Sequence, residues 1–131
     1  MTADNEVVLI DTSVWIASFR GKPANVTEIT GTLLKEDRDL TCGPVLFEIR
    51  RGLRLHERKT IMPLVEAVIR LSLDEQDWEL AGDLDASLRK RGITIPPIDS
   101  LIARVCLRHD VPLFTLDRHF NSVSDISLFK P

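Results

Sequence analysis

The sequence lacks a long apolar run, a leader-like N-terminus and the cysteine content of a disulfide-rich protein. No apolar run approaches the length of a membrane-spanning helix, and the polar, acidic segment Met1–Glu6 does not resemble a signal peptide. The two cysteines, Cys42 and Cys106, lie in apolar patterns, and no Cys/His spacing typical of a zinc site occurs. We expect reduced core cysteines in a cytoplasmic protein without membrane contact, although the sequence leaves a single buried disulfide open.

An excess of positive charge is also missing. The chain has 17 Lys and Arg against 20 Asp and Glu, and its net charge of −3 does not indicate a nucleic-acid binder. Two local basic clusters, within 50–59 and 89–91, are explained by solvated helix faces and a helix C-terminus unless an anion-cleaving site lies nearby. The first cluster contains Arg50, Arg51, Arg54, Arg58 and Lys59.

Repeats, low-complexity tracts and long linkers are absent, and 131 residues suffice for one domain with a single core. Short apolar runs alternate with helical patterns, which predicts a parallel sheet between layers of helices. The predicted fold is therefore α/β, a three-layer α/β/α sandwich with a central parallel sheet of about five strands. The predicted strands are Val7–Ile10, Asp39–Cys42, Arg70–Leu73, Leu113–Leu116 and Ile126–Phe129.

Helical patterns fill the gaps between these runs. The clearest follows Pro96-Pro97, with an apolar stripe of helical period that ends at His109-Asp110. The long pattern Glu75–Arg91 stops at Gly92, with Lys and Arg in its last turn. Pro63 is tolerable only in the first turn of its helix. The other predicted helices are Thr12–Arg20, Asn25–Glu36, Val45–Leu55 and Thr60–Ile69.

Four carboxylates lie where a parallel sheet can bring distant residues together. Asp11 and Asp117 each follow an apolar strand, Asp99 begins the helix after the proline pair, and Glu48 has apolar neighbours on both sides. Such sheets bind ligands outside the carboxyl ends of their strands, so we expect Asp11 and Asp117 to face one crevice. Clustered carboxylates in that crevice predict a site for a hard divalent cation.

Asp11 and Asp99 also have an ordinary explanation as helix caps. Asp is common at helix starts, and either residue could serve there alone. Thr12 or Ser13 could cap the first helix instead, and Ser100 the later one, which would free both carboxylates for a ligand.

Asp117 and Glu48 have ordinary explanations of their own. Asp117 suits a turn after a strand, and Glu48 could pair with Arg51, three residues on. Thr115 would then be a polar residue inside an apolar strand, which needs a partner if it is buried. A neighbouring carboxylate or a metal-bound water could be that partner.

Four strings, taken in order, resemble the PIN domain and, more narrowly, the VapC-type toxins of bacterial toxin–antitoxin pairs. Each string alone is weak, but the resemblance covers essentially the whole chain, as a single PIN-like domain over 1–131. The strings are Leu9-Ile10-Asp11-Thr12-Ser13, a Glu in the helix after Gly43-Pro44, Pro97-Ile98-Asp99-Ser100-Leu101-Ile102-Ala103, and Phe114-Thr115-Leu116-Asp117-Arg118-His119-Phe120.

The resemblance implies a metal-dependent endoribonuclease. It also implies a VapB-like antitoxin partner and a homodimer. The acidic quartet of the family corresponds to Asp11, Glu48, Asp99 and Asp117 as catalytic residues, and no acid is missing. We expect Asp11, Asp99 and Asp117 to hold Mg²⁺ or Mn²⁺, directly or through water, with Glu48 completing the cluster or orienting the attacking water.

Further residues are expected to support these roles. Thr12, Ser13 and Thr115 correspond to the hydroxyl residues that the family places beside its carboxylates. The arginines within two helical turns of Glu48 are candidates for contact with RNA phosphates, which give affinity but not sequence choice. They are Arg50, Arg51 and Arg54.

Two other functions compete with a ribonuclease. One is another metal-dependent phosphohydrolase of α/β fold, but a haloacid-dehalogenase-like phosphatase would have an Asp two residues after Asp11, where this chain has Ser13. A receiver-like domain would have an acidic pair near the end of its first strand, which Val7–Ile10 excludes although Lys130 suits it. The other is a catalytically silent, partner-binding PIN-like module, which the complete quartet disfavours without excluding it.

Overall fold

The computed structural model describes residues 6–131, across which four strands and six α-helices alternate. Residues 1–5 of the predicted single domain, which include most of the polar N-terminal segment, lie outside the described residues. None of the described helices is both long and apolar enough to cross a membrane. The strands are β1 (Val8–Ile10), β2 (Asp39–Cys42), β3 (Ile69–Leu71) and β4 (Leu113–Phe114), and the helices are α1 (Thr12–Arg20), α2 (Ala24–Lys35), α3 (Gly43–Gly52), α4 (Leu55–Glu66), α5 (Glu75–Lys90) and α6 (Pro97–His109).

The sheet is entirely parallel, in the order β3-β2-β1-β4. All three residues of β1 are fully buried, as expected for a central strand covered on both faces. The chain moves outward from β1 to β2 and β3, then returns to place β4 on the other side of β1. The reversal of strand order beside β1 opens a crevice at the carboxyl ends of β1 and β4, which confirms the predicted α/β fold.

The prediction of a fifth strand at Ile126–Phe129 is wrong, because the sheet formed by the described residues has four strands. Residues 127–129 run beside β4 but form only a single parallel bridge, between Leu113 and Leu128. The backbone N–H of Leu113 donates to Ser127 and that of Phe129 donates to Leu113. β4 itself is only two residues long, since the chain turns away at Thr115, and it offers a neighbour too little backbone for a ladder.

Pro63 lies in the interior of α4 and not in a first turn, which corrects the predicted helix Thr60–Ile69. The helix begins five residues earlier, at Leu55, where the backbone N–H of Arg54 donates to the Glu57 side chain at 2.9 Å. A proline at this position removes one helical hydrogen bond. Burial of Ile61 and Val65 on the inward face of the helix offsets that loss.

A buried ion-pair network holds α6, which carries Asp99, against α5. Asp77 is fully buried and caps its own helix together with Asp74. Arg104 Nε lies 3.0 Å from Asp77 Oδ1, and Arg108 Nη1 lies 3.1 Å from Oδ2. Arg108 also reaches Asp74 at 2.9 Å. Because both carboxylate oxygens are paired, Asp77 keeps its charge inside the protein and fixes the register of the two helices.

Both cysteines are free and buried, as predicted. Cys42 ends β2 and Cys106 lies on α6, where both belong to the apolar core. Burial raises the pKa of the Cys42 thiol to about 12, so it remains protonated and unreactive.

Candidate functional site

The four predicted carboxylates gather at the carboxyl edge of the sheet. Asp11 directly follows β1, and Asp117 lies three residues beyond β4, the parallel neighbour of β1. Asp99 occupies the first turn of α6, and Glu48 lies in the second turn of α3, the helix that continues from β2. Two strand ends, one helix start and the second turn of another helix therefore direct acids to one crevice, as the sequence predicted for Asp11 and Asp117.

Neither Asp11 nor Asp99 caps its helix through its side chain. Asp11 has the backbone position of a cap for α1, yet its carboxylate is used elsewhere. Pro96 precedes α6, and Pro97 begins it without an N–H to satisfy, so this helix start needs less capping. The alternative in which Ser100 serves as the cap is wrong, because its hydroxyl is buried with no hydrogen-bond partner among the described residues.

Asp11 is buried and held by two hydroxyl groups. Asp11 is only 1% exposed. Ser13 Oγ and Thr115 Oγ1 each donate a hydrogen bond to Asp11 Oδ2 at 2.7 Å. Burial raises the pKa of the Asp11 carboxyl, the two hydroxyl bonds partly offset that rise, and the nearby charge of Asp117 adds to it. The predicted need of Thr115 for a carboxylate partner is thus met by Asp11.

The same two hydroxyls also position Asp117. Ser13 Oγ accepts from the backbone N–H of Leu116 at 3.0 Å, and Thr115 Oγ1 accepts from that of Asp117 at 3.0 Å. Each hydroxyl therefore donates to Asp11 and accepts from the segment after β4. This bridging fixes the two acids relative to each other even though 106 positions separate them.

Glu48 bonds to Thr12 at the start of α1. Thr12 Oγ1 donates to Glu48 Oε1 at 3.0 Å, across 36 positions of sequence. Partial burial raises the pKa of Glu48, the Thr12 bond lowers it, and the charges of Asp11 and Asp117 raise it further. The positive charge of Arg51 has a smaller, lowering effect. Arg51 therefore acts on Glu48 through its charge, as expected, but the hydrogen bond to the Glu48 carboxylate comes from Thr12.

Asp99 is the most perturbed acid of the group. It is 3% exposed, and burial, followed by the charges of Asp11 and Glu48, raises its pKa to about 7. A contact with His119, whose Nδ1 lies 3.0 Å from Asp99 Oδ2, lowers the pKa, and the charge of Asp117 raises it. A carboxyl whose pKa is raised by burial and by neighbouring acids is in an environment that favours a positive ligand.

The electrostatic effects connect all four acids. The charge of Asp117 raises the pKa of each of the other three acids. The charge of Asp11 raises the pKa of Glu48 and of Asp99, and the charge of Glu48 raises the pKa of Asp99. Such mutual repulsion is relieved by a divalent cation, and the carboxylate oxygens are the donors that Mg²⁺ and Mn²⁺ prefer. The donor set therefore fits a hard divalent cation.

The three predicted phosphate-contact arginines have different surroundings. Arg50 forms an ion pair with Glu66 of α4, and Arg54 lies at the start of α4, where its backbone caps. Arg51 instead lines an open hollow of about 400 Å³ together with Glu48 and Arg20. Only Arg51 of the three therefore borders the acids.

Sequence reasoning missed Arg20 and His119. Arg20 lines the same hollow as Thr12 and Ile16, and these residues share one face of α1 at a spacing of four, a pattern that could have revealed it. His119 lies two residues after Asp117, in a short 3-10 helix over Arg118–Ser122. One donor atom from each of Asp99, Asp117 and His119 lies within 4.8 Å of the others. The closeness of His119 in sequence to Asp117, a predicted metal ligand, could have indicated that His119 belongs to the site.

Comparisons with known proteins agree with this geometry. The PIN domain family matches residues 8–126. VapC ribonuclease Mb1587 of Mycobacterium bovis is 30% identical over 126 residues, which cover 92% of this chain and 94% of the relative. Ribonuclease VapC11 of Mycobacterium tuberculosis has the same identity and coverage. A structure of DNA-bound VapBC from Salmonella typhimurium shares the fold, with a TM-score of 0.75 at 21% identity over 95% of this chain and 97% of that one.

Proposed function

Because this chain belongs to the VapC-type members of the PIN-domain family, we propose that it is a metal-dependent endoribonuclease, the toxin of a type II toxin–antitoxin pair. The convergence of Asp11, Glu48, Asp99 and Asp117 on one crevice carries this proposal. The relatives with 30% identity are named as ribonucleases, which supports RNA as the substrate.

The roles of the acids follow from their surroundings. Asp11, Asp99 and Asp117 would hold Mg²⁺ or Mn²⁺, and the bonds from Ser13 and Thr115 keep Asp11 oriented for this task. When bound, the cation acts as a Lewis acid that neutralises charge developing on the scissile phosphate.

Glu48 has a different part in the reaction. Its carboxylate, held by Thr12, would complete the cluster or orient a water molecule and accept its proton as the water oxygen attacks phosphorus. The P–O bond to the leaving nucleotide then breaks, and the leaving oxygen takes up a proton from the surrounding water.

The direct test is RNA cleavage by the purified chain. We expect cleavage with Mg²⁺ or Mn²⁺ and none with a chelator. Sequencing the 5′ ends of RNAs cut after induction in cells would identify the substrate, with Asp99→Asn as the inactive control. Hydrolysis of phosphomonoesters without RNA cleavage would instead indicate a phosphatase. Antitoxin binding with no turnover under any metal would indicate a silent module.

Arg51 is the arginine that we propose contacts the RNA phosphate. Arg51→Ala should weaken RNA binding and reduce the slope of log affinity against log salt by about 0.7, the value for one phosphate contact on a single strand. Arg50→Ala is the matched control, because it removes the same charge from the same helix at a residue paired with Glu66. Equal effects of the two substitutions on the salt slope would contradict this assignment.

An apolar groove beside the acids supports the homodimer. The groove has a volume of about 640 Å³. Two of its lining residues directly precede acids of the site, because Glu48 follows Phe47 and Asp99 follows Ile98. Phe47 and Trp78 are each 57% exposed there, so two large apolar side chains of one groove are left open to water. The groove is lined by Phe47, Leu71, Leu73, Trp78, Ile98 and Leu101.

We therefore propose that this groove forms the contact between two copies of the chain. Phe47→Glu would place a charge in the apolar contact and should convert the dimer to a monomer in light-scattering measurements. Leu64→Glu is the matched control, because Leu64 is also exposed, at 59%, but does not line the groove. A dimer that survives Phe47→Glu would contradict this placement.

The antitoxin partner is a separate proposal. Several solved structures that share the fold are of VapBC pairs, and that from Haemophilus influenzae has a TM-score of 0.74. We propose that a VapB-like protein encoded next to this chain binds it and blocks cleavage. Copurification of the two products, and restoration of growth when both are expressed, test this; a chain that stays inert toward its neighbour would refute it.

A further inference from the structure

His119 is the one imidazole at the acidic site, and its position is fixed by the fold. The adjacent Phe120 is fully buried in the core and anchors the short 3-10 helix. The His119 side chain is 46% exposed and faces Asp99, with Nδ1 at 3.0 Å from Asp99 Oδ2. A histidine with an anchored backbone and an accessible ring can contact a ligand that enters from solvent.

The donor spacing around His119 is that of a metal site. Donors in cis positions on an octahedral ion with bonds of about 2.1 Å are separated by about 3.0 Å, and donors in trans positions by about 4.2 Å. The Nδ1 to Oδ2 distance is 3.0 Å, and the donor atoms of Asp99, Asp117 and His119 all lie within 4.8 Å of one another. The Asp99–His119 pair therefore matches the spacing of two cis donors, and Asp117 supplies a third donor atom nearby.

We infer that His119 is a direct metal ligand, and that its imidazole makes the site prefer Mn²⁺ to Mg²⁺. This inference rests on the proposed function and deepens it, since the carboxylates alone would accept either ion. Mg²⁺ is bound by oxygen donors and gains little from an imidazole, whereas affinity for first-row transition ions rises when a nitrogen donor is added. Mn²⁺ is the member of that series that also suits an oxygen-rich octahedral set.

The competing role for His119 is a hydrogen bond alone. A distance of 3.0 Å equally suits an Nδ1–H donor and the Asp99 oxygen, in which case the ring only orients the carboxylate. The two roles differ in one observable property. A ligating nitrogen is magnetically coupled to a bound Mn²⁺ ion, and a nitrogen that only donates to Asp99 is not directly bonded to it.

Pulsed electron paramagnetic resonance of the full chain loaded with Mn²⁺ separates the two roles without relying on a variant. We expect a directly bonded ¹⁴N coupling in the natural protein, which changes to a ¹⁵N coupling when only the histidines are labelled. The coupling should vanish in His119→Gln and persist in His56→Gln, an exposed histidine away from the site. Absence of the coupling in the natural protein, or its persistence in His119→Gln, would overturn the inference.

Calorimetric titrations test the metal preference. Removing even an indirect partner of a metal ligand typically costs 10–100-fold in affinity, so we expect His119→Gln to weaken Mn²⁺ binding by about tenfold or more. Mg²⁺ binding should fall several-fold less than Mn²⁺ binding, because Mg²⁺ loses only the orientation of Asp99 by His119 and keeps its carboxylate ligands. Equal losses for the two ions would overturn the preference. RNA cleavage by a protein without nitrogen coupling would refute this inference alone, whereas coupling without cleavage would refute the proposed function alone.

Discussion

Asp99→Asn is expected to abolish metal-dependent RNA cleavage, by about a thousandfold or more, and to raise the midpoint of thermal unfolding of the metal-free protein at pH 8. Activity falls because a neutral amide binds a divalent cation far less well than a carboxylate. Stability rises because burial and the charges of Asp11 and Glu48 make an ionised Asp99 unfavourable at that pH. Cleavage kinetics and a thermal melt with chelator measure the two effects.

The opposite signs of these effects make the prediction specific. If Asp99 only supported the fold, its replacement would lower both the activity and the stability of the protein. Asp83→Asn is the matched control, because Asp83 is an exposed acid of α5, and it should change neither quantity appreciably. Full activity in Asp99→Asn, or a lower melting point without metal, would contradict the role assigned to Asp99.

The sequence was sufficient to place acids that follow strands. Asp11 and Asp117 could be predicted because parallel strands bring their carboxyl ends to the same edge, whatever the intervening chain does. Glu48 could not be placed with the same certainty. Its partner Thr12 lies 36 positions away, and helical periodicity leaves a Glu beside Arg51 free to face solvent. The contact that decides its orientation depends on how α1 and α3 pack.

The limits of strands and helices were less predictable than their order. An alternating pattern at residues 126–129 satisfies local requirements for a strand, but β4 ends after two residues and provides too little backbone to pair with it. Pro63 would end an isolated helix, yet the apolar face of α4 gains more from burial than one lost hydrogen bond removes. In both cases tertiary contacts determine where the element begins and ends, and the local sequence pattern does not contain that information.

The affinity for the divalent cation is expected to fall by at least about thirtyfold between pH 8 and pH 5.5. Asp99 has a pKa of about 7 without metal, so at pH 5.5 the ion must displace a proton that is already absent at pH 8. Calorimetry in two buffers with different ionisation enthalpies would measure the release, which should be at least one proton per ion at pH 5.5, more if a ligating imidazole also loses its proton, and should fall toward zero at pH 8.

The unfolding of the metal-free protein supplies an independent check with a fixed sign. A carboxyl whose pKa is raised in the folded state binds its proton more tightly there than in the unfolded chain. Its contribution to stability is therefore fully present below the ordinary pKa of Asp and is lost as the pH rises toward 7. Saturating metal should restore that loss, so metal should raise the melting point more at pH 8 than at pH 5.5. Equal metal-induced shifts at the two pH values would show that Asp99 does not exchange its proton for the ion.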